Sequence, residues 1–194
     1  MESFVFELME QHDYENLFFF QEKKVGLKAI IAIHNTVRGP AAGGTRMMLY
    51  ATEEDAIRDA MRLARAMTYK WAALGANFGG GKCVVIGDPK RDKTEALLLA
   101  LGRCIQRLNG LFLTGTDVGT TMQDMEIMHR ESRYVVTVGE DLGGPGDTAP
   151  ATSLGVVQGI RACLNAIYGT LLICREEALR FKEWALWAKV WLRD

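Results

Sequence analysis

Residues 67–86 read Met-Thr-Tyr-Lys-Trp-Ala-Ala-Leu-Gly-Ala-Asn-Phe-Gly-Gly-Gly-Lys-Cys-Val-Val-Ile, and the hydrophobic period changes inside them. Upstream, Ala56, Ala60, Leu63, Ala64 and Met67 fall on one helical face, with Arg58, Arg62 and Arg65 turned away from it. Thr52 opens that pattern, and its spacing to Asp55 makes a capping box, so a helix is predicted from Thr52 to about Lys70. Downstream, a glycine-rich loop over residues 75–81 leads into a strand, Cys83-Val84-Val85-Ile86, which Gly87-Asp88-Pro89 stops. The alternation continues: helix over 92–108, strand 111–113, helix from the Thr121–Asp124 box to about 131, strand 134–138, loop 139–150 and helix 152–168. Before it, residues 1–16 read as a short amphipathic helix and turn. Residues 17–20 and 27–34 read as two strands, and residues 35–46 as a loop. Alternating elements of this kind predict an α/β fold: one layered domain with a mixed, partly parallel sheet flanked by helices.

Composition bounds the rest. The chain has 194 residues, 48% hydrophobic and 24% charged, enough for one domain with a real core. Lys and Arg number 23 against 24 Asp and Glu, a net charge of −1, so nothing draws it to nucleic acid or an anionic membrane. No basic leader opens the sequence, and no window approaches the ~20 apolar residues of a spanning helix. A cytoplasmic location is expected. Cys83, Cys104, Cys163 and Cys174 form no CxxC pair and read as free thiols in a reducing compartment. His12, His34 and His129 lack metal-ligand spacing, so no metal site is expected.

Two glycine motifs fail as phosphate cradles. Gly79-Gly80-Gly81-Lys82 lacks the earlier Walker glycine, since position 76 is Ala, and Cys83 stands where Ser or Thr is needed. The run from Gly144 to Ala149 fits G-x-G-x-x-A, but Pro145 and Pro150 suit no tight strand-to-helix turn, and no acid follows about 20 residues on. Two lysines and an acid remain. A lysine ending a helix, such as Lys70, ordinarily reads as a solvated cation complementing the helix dipole. Lys82 follows three glycines, which let a substrate or backbone approach closely. Asp117 sits at a strand end between Gly115 and Gly119, and Gly43-Gly44 adds another small pair. Lys, Lys and Asp on glycine-bracketed segments point to a site for a small anionic substrate.

Five ordered segments also carry a family resemblance. Gly39-Pro-Ala-Ala-Gly-Gly-Thr-Arg46, Arg65-Ala-Met-Thr-Tyr-Lys70, Gly79-Gly-Gly-Lys82, Thr116-Asp-Val-Gly-Thr120 and Thr152-Ser-Leu-Gly-Val156 resemble signatures of the dehydrogenases acting on glutamate, leucine, phenylalanine and valine. The match spans residues 12–168 and is similar above all to the leucine/phenylalanine/valine branch. The resemblance implies oxidation of an L-amino acid to its 2-oxo acid, with ammonia released and a hydride passed to a nicotinamide cofactor, NAD or NADP. It implies that Lys70 binds the substrate carboxylate, with Gly43, Gly44 and Met67 lining the pocket. Lys82 is the implied catalytic lysine, Asp117 the acid exchanging protons with substrate nitrogen, and Thr152 a cofactor contact. Ala42 stands where leucine-type members tend to carry Leu, which implies room for a bulkier substrate. A homo-oligomer is also implied.

By the same resemblance, residues 1–150 are a substrate-binding and oligomerisation domain, and 151–168 a helix leading toward a nucleotide-binding domain. Residues 169–194 do not resemble the family. Three of the four tryptophans lie there, and as a helix it would place Phe181, Trp184, Ala188 and Trp191 on one face. The genetic code offers another reading. Shifted one base upstream, Trp184–Ala185 and Trp187–Ala188 both decode as Gly, since TGG followed by GC contains GGC. The shifted frame allows Val-Ala-Val-Gln-Gly-Val-Gly-x-Val-Gly from residue 178 onward, a strand followed by G-x-G-x-x-G. The tail is therefore expected to be a frameshifted product, with the shift near residues 169–174, and the chain is expected to be inactive alone. A non-catalytic subunit that associates with full-length dehydrogenase is the other expectation.

Overall fold

A computed structural model describes residues 4–169. The chain divides into two compact units, 1–147 and 148–194, each described by itself. The tail beyond Gly169, with its tryptophans and Cys174, lies outside the described residues.

The first unit runs α1 (Phe4–Gln11), β1 (Asn16–Glu22), β2 (Leu27–Asn35), β3 (Ala41–Met48), α2 (Glu53–Ala73), β4 (Gly79–Ile86), α3 (Glu95–Arg107), β5 (Phe112–Thr116) and α4 (Met122–His129). The five strands form one sheet in the order β1-β2-β4-β3-β5. The β1–β2 and β2–β4 pairs are antiparallel, while β3 pairs in parallel with both β4 and β5. Helices α2 and α3 make the crossovers that parallel pairing requires. The expected mixed, partly parallel sheet is thus present.

Side-chain alternation splits the core into two layers. Ile30, Ala32 and Val84 pack with Tyr14 and with Ala56, Ile57, Ala60, Met61 and Ala64 of α2. Their neighbours Ile31, Ile33, Cys83 and Val85 pack on the other side, with Leu97, Leu101 and Ile105 of α3 and Met125 and Met128 of α4. Both faces of β2 and β4 are covered, so these strands read as continuous apolar runs. Three threonine caps start the helices: Thr52 accepts from Asp55 N–H, Thr94 from Leu97 N–H and Thr121 from Asp124 N–H.

Several boundaries depart from expectation. Residues 41–48 are a strand rather than part of a loop, because Ala-Ala-Gly-Gly carries no β-branched signal. The small residues answer crowding: a Cβ on Gly43 would fall on the carbonyl oxygen of Gly81 in β4. Gly79, Gly80 and Gly81 likewise begin β4 instead of preceding it. Helix α2 continues to Ala73, and α3 starts at Glu95 because Thr94, not Asp92, supplies the cap. β5 runs on through Thr116. The expected strand 134–138 contributes one parallel bridge, Thr114–Val135, beside β5.

The second unit contains α5, Ala149–Tyr168, which begins three residues before the expected start with Pro150 in its first turn. Among the described residues no helix is long and apolar enough to cross a membrane. No group of His, Cys, Asp and Glu among them could hold a metal.

Candidate active site

Strand order explains why the site needs glycine. β3 lies between β4 and β5. The β3–β4 register pairs Ala42 with Gly80 and Thr45 with Cys83, which sets Gly44 level with Lys82. On the other edge Gly44 pairs with Gly115. Lys82 therefore reaches over a strand position without a side chain, and its Nζ lies 3.0 Å from Oδ2 of Asp117, just past the end of β5. A Cβ on Gly44 would stand 2.9 Å from the Asp117 Cβ. The glycine lets β3 pass beneath the ion pair without displacing it.

The loop after β5 is fixed by its own polar groups. Asp117 N–H donates to Thr120 Oγ1 (3.0 Å), and that hydroxyl donates to the Thr45 carbonyl of β3 (2.8 Å). Arg46 leaves β3 one side-chain step beyond Gly44. Its Nε donates to Asp117 Oδ2 at 2.8 Å and its Nη1 to Asp59 Oδ2 of α2 at 2.9 Å. Tyr50 Oη and Arg62 Nη2 each donate to Asp59 at 2.8 Å. Lys82 is 5% exposed, and Asp59 and Asp117 are mostly covered.

Burial, the largest influence, lowers the proton affinity of Lys82; Asp117 opposes that shift and the Arg46 cation adds to it. The amine is thereby moved toward a neutral form that can accept a proton. Burial alone would raise Asp117, but Lys82 and Arg46 outweigh it and hold the carboxyl below its usual range. The sign for stability follows. A carboxyl whose native affinity is depressed contributes stability above its unfolded value, and loses it as pH falls through the native value. Urea midpoints measured from pH 6 to pH 2 are expected to fall less steeply below pH 4 in Asp117→Asn than in the parent. Equal slopes would remove Asp117 from the acid response.

The other residues expected to meet a substrate sit near the end of α2. Met67 Cγ lies 3.3 Å from the place a Gly43 Cβ would occupy. Lys70 is exposed in the last turn, its Nζ 5.7 Å from the Trp71 ring centroid, and among the described residues it makes no ion pair. Trp71 ties this turn to the sheet, its Nε1 donating to the Ala42 carbonyl at 2.9 Å. Helix, β3 and Lys82 thus share one face, although Lys70 does not touch Lys82 or Asp117. Thr152 lies in the second unit, where its hydroxyl donates to the Thr148 carbonyl (2.9 Å).

Arg46, Asp59, Tyr50 and Trp71 are additions that sequence reasoning did not select. Arg46 closes a quoted motif, but an arginine at an apparent loop end reads as solvated. Asp59 reads as a polar-face acid three residues from Arg62. A dinucleotide does not fit the described residues. The Gly144 turn closes on Gly139 and Val138 by backbone bonds rather than joining a strand to a helix, and one exposed threonine makes no cradle.

Comparison with known proteins gives the family. Residues 17–134 match the family model described as "Glu/Leu/Phe/Val dehydrogenase, dimerisation domain". The leucine dehydrogenase of Geobacillus stearothermophilus is 53% identical over 166 residues, 86% of this chain and 45% of that protein. The phenylalanine dehydrogenase of Caldalkalibacillus thermarum is 47% identical over 170 residues, 88% and 45% of the two chains. The crystal structure of L-tryptophan dehydrogenase from Nostoc punctiforme superposes with a TM-score of 0.69 at 43% identity, covering 86% of this chain and 46% of that one. The chain spans about half the length of the curated relatives it matches. The matched segment, residues 17–134, covers more than half of the chain and holds the sheet with α2, so the chain belongs to the Glu/Leu/Phe/Val dehydrogenase family.

Proposed function

We propose that this chain is the substrate half of an NAD-dependent amino-acid dehydrogenase, which oxidises an L-amino acid to its 2-oxo acid and ammonium. The observation that carries the reading is the buried Lys82–Asp117 pair, 3.0 Å apart, on the sheet face over which α2 presents Lys70. Lys70 holds the substrate carboxylate. Lys82 in its neutral form takes a proton from the substrate amine or from the attacking water, and Asp117 passes protons to and from the substrate nitrogen. Gly43, Gly44 and Met67 bound the space for the substrate, and Ala42 leaves room for a large side chain. No step is assigned to NAD on this chain; Thr152 is the contact proposed for it, on the resemblance alone. A homo-oligomer fits the dimerisation domain, and the buried free thiols of Cys83 and Cys104 suit a cytoplasmic setting.

Binding tests this reading without the hydride step. The chain is expected to bind branched or aromatic 2-oxo acids in calorimetry, and Lys70→Ala is expected to weaken that binding tenfold or more, the order lost with one charge-assisted contact. No binding by the parent chain, or unchanged binding by Lys70→Ala, would sink it. The purified chain with NAD is expected to show no turnover. The match to a dimerisation domain also supports a second reading, a non-catalytic partner of full-length subunits, which co-purification with such a subunit would favour. For the tail we keep the frameshift proposal. The codons for residues 178–188, shifted one base upstream, are expected to encode a strand and G-x-G-x-x-G, and any other sequence there overturns it.

A further inference from the structure

We propose that Asp59 is a positioning residue that sets the proton affinity of Lys82 by dividing the charge of Arg46. The inference rests on Lys82 being the proton-transfer amine, and it concerns a residue the proposed reaction does not use.

The geometry is a forked relay. Lys82 Nζ and Arg46 Nε both bond one oxygen of Asp117, at 3.0 and 2.8 Å. Two cations thus draw on one carboxylate oxygen. The other arm of Arg46 goes to Asp59 at 2.9 Å, so half of the fork is satisfied away from Asp117. Asp59 is itself pinned, with Tyr50 Oη on the same oxygen and Arg62 on the other, both at 2.8 Å. Its side chain is 16% exposed, covered enough for its charge to escape most solvent screening. The five residues come from four segments: Arg46 from β3, Tyr50 from the following loop, Asp59 and Arg62 from α2, and Asp117 from just past the end of β5.

The sign follows from Coulomb's law. Around Lys82 the charges are Asp117, which favours the ammonium, and Arg46, which opposes it. Cys83, the next residue, is pushed up to about 12 by burial and stays a neutral thiol. On β2 the residue level with Lys82 is Ala32, which carries no charge. Remove the Asp59 charge and Arg46 leans wholly on Asp117. Lys82 then shares a weaker acceptor with an uncompensated cation, and its neutral form gains. Remove Arg46 instead and Asp117 answers Lys82 alone, so the ammonium gains. A residue that merely held α2 in place would not produce opposite signs from the two changes.

The test uses the whole chain with carbon-13 at lysine Cε. The Lys82 resonance is assigned by its loss in Lys82→Met, and titration of that resonance reads the protonation of a buried amine without reagent access. At a fixed pH below the midpoint, Asp59→Asn is expected to raise the neutral fraction of Lys82 roughly threefold, and Arg46→Met to lower it by a similar factor. Asp59→Glu is expected to return the midpoint toward the parent. An unchanged midpoint in Asp59→Asn, or shifts of the same sign in both variants, overturns the proposal. Should Asp59→Asn not fold, Asp59→Ser takes its place: a midpoint that stays or rises overturns the proposal, and a fall supports it. No substrate or cofactor enters the titration, so its outcome is separate from that of 2-oxo acid binding, which tests the dehydrogenase reading.

Discussion

In an enzyme where this chain is joined to a nicotinamide-binding domain, Lys82→Met is expected to lower kcat by about 10³-fold or more, the scale of a lost general acid–base group. The substitution keeps an unbranched side chain in the lane above Gly44 and removes only the amine. Asp117 is not stranded, because Arg46 still bonds its Oδ2 at 2.8 Å, so the cost of an unpaired buried carboxylate is avoided. The melting temperature and the affinity for NAD should therefore stay near those of the parent. The loss should fall on kcat, because Lys70, not Lys82, holds the carboxylate in this reading. Steady-state kinetics with a 2-oxo acid and ammonium in one direction, and the amino acid in the other, give the measurement. Turnover at the parent rate would end the assignment of Lys82.

Gly80→Ala is expected to cost about 3 kcal/mol of stability or more, at the upper end of overpacking in a core. The new Cβ would fall on Thr68 Oγ1, on the Thr68 backbone nitrogen and on the Ala64 carbonyl oxygen. Two of those three atoms are helix backbone, which cannot rotate away. Helix α2 would have to lift from β4, and with it the contacts of Ala60 and Ala64 against Ala32 and Val84. The same lift carries Met67 and Lys70 off the site, so 2-oxo acid binding should fall with stability. Gly155→Ala in α5 is the control: nothing lies within 4 Å of its Cβ, and replacing a helical glycine by alanine should be neutral or mildly stabilising. Urea midpoints of the two variants should therefore move apart. A Gly80→Ala midpoint equal to the parent's would mean that the helix does not pack against β4 this closely.

The fold was legible wherever periodicity was strong. Thr52, Thr121 and the apolar face of α2 set that helix and α4 to within a few residues, and Ile30–Ile33 with Val84–Ile86 mark the central strands. It was illegible at Ala41–Gly44 and Gly79–Gly81. A strand hemmed in by its neighbours and by a helix must use small residues, and small residues in sequence read as a turn. The one-bridge segment at Val135 was over-read for the opposite reason: its β-branched residues favour extension, but only one of them finds a ladder partner.

For the site, the sequence by itself singled out the candidate groups: Lys82 after three glycines, Asp117 at a strand end, Lys70 at the close of an amphipathic helix. Those follow from local rules, since a helix end, a strand end and a glycine are properties of neighbouring residues. Only the tertiary structure decided that β3 runs between β4 and β5, so that Gly44 gives Lys82 passage to Asp117. Only it joined Arg46 to Asp59 and Asp117, two acids separated from it by 13 and 71 residues. Strand order and ion pairing across the sheet are set by which apolar faces can be buried together and which charges then meet. No local pattern in the chain records either one.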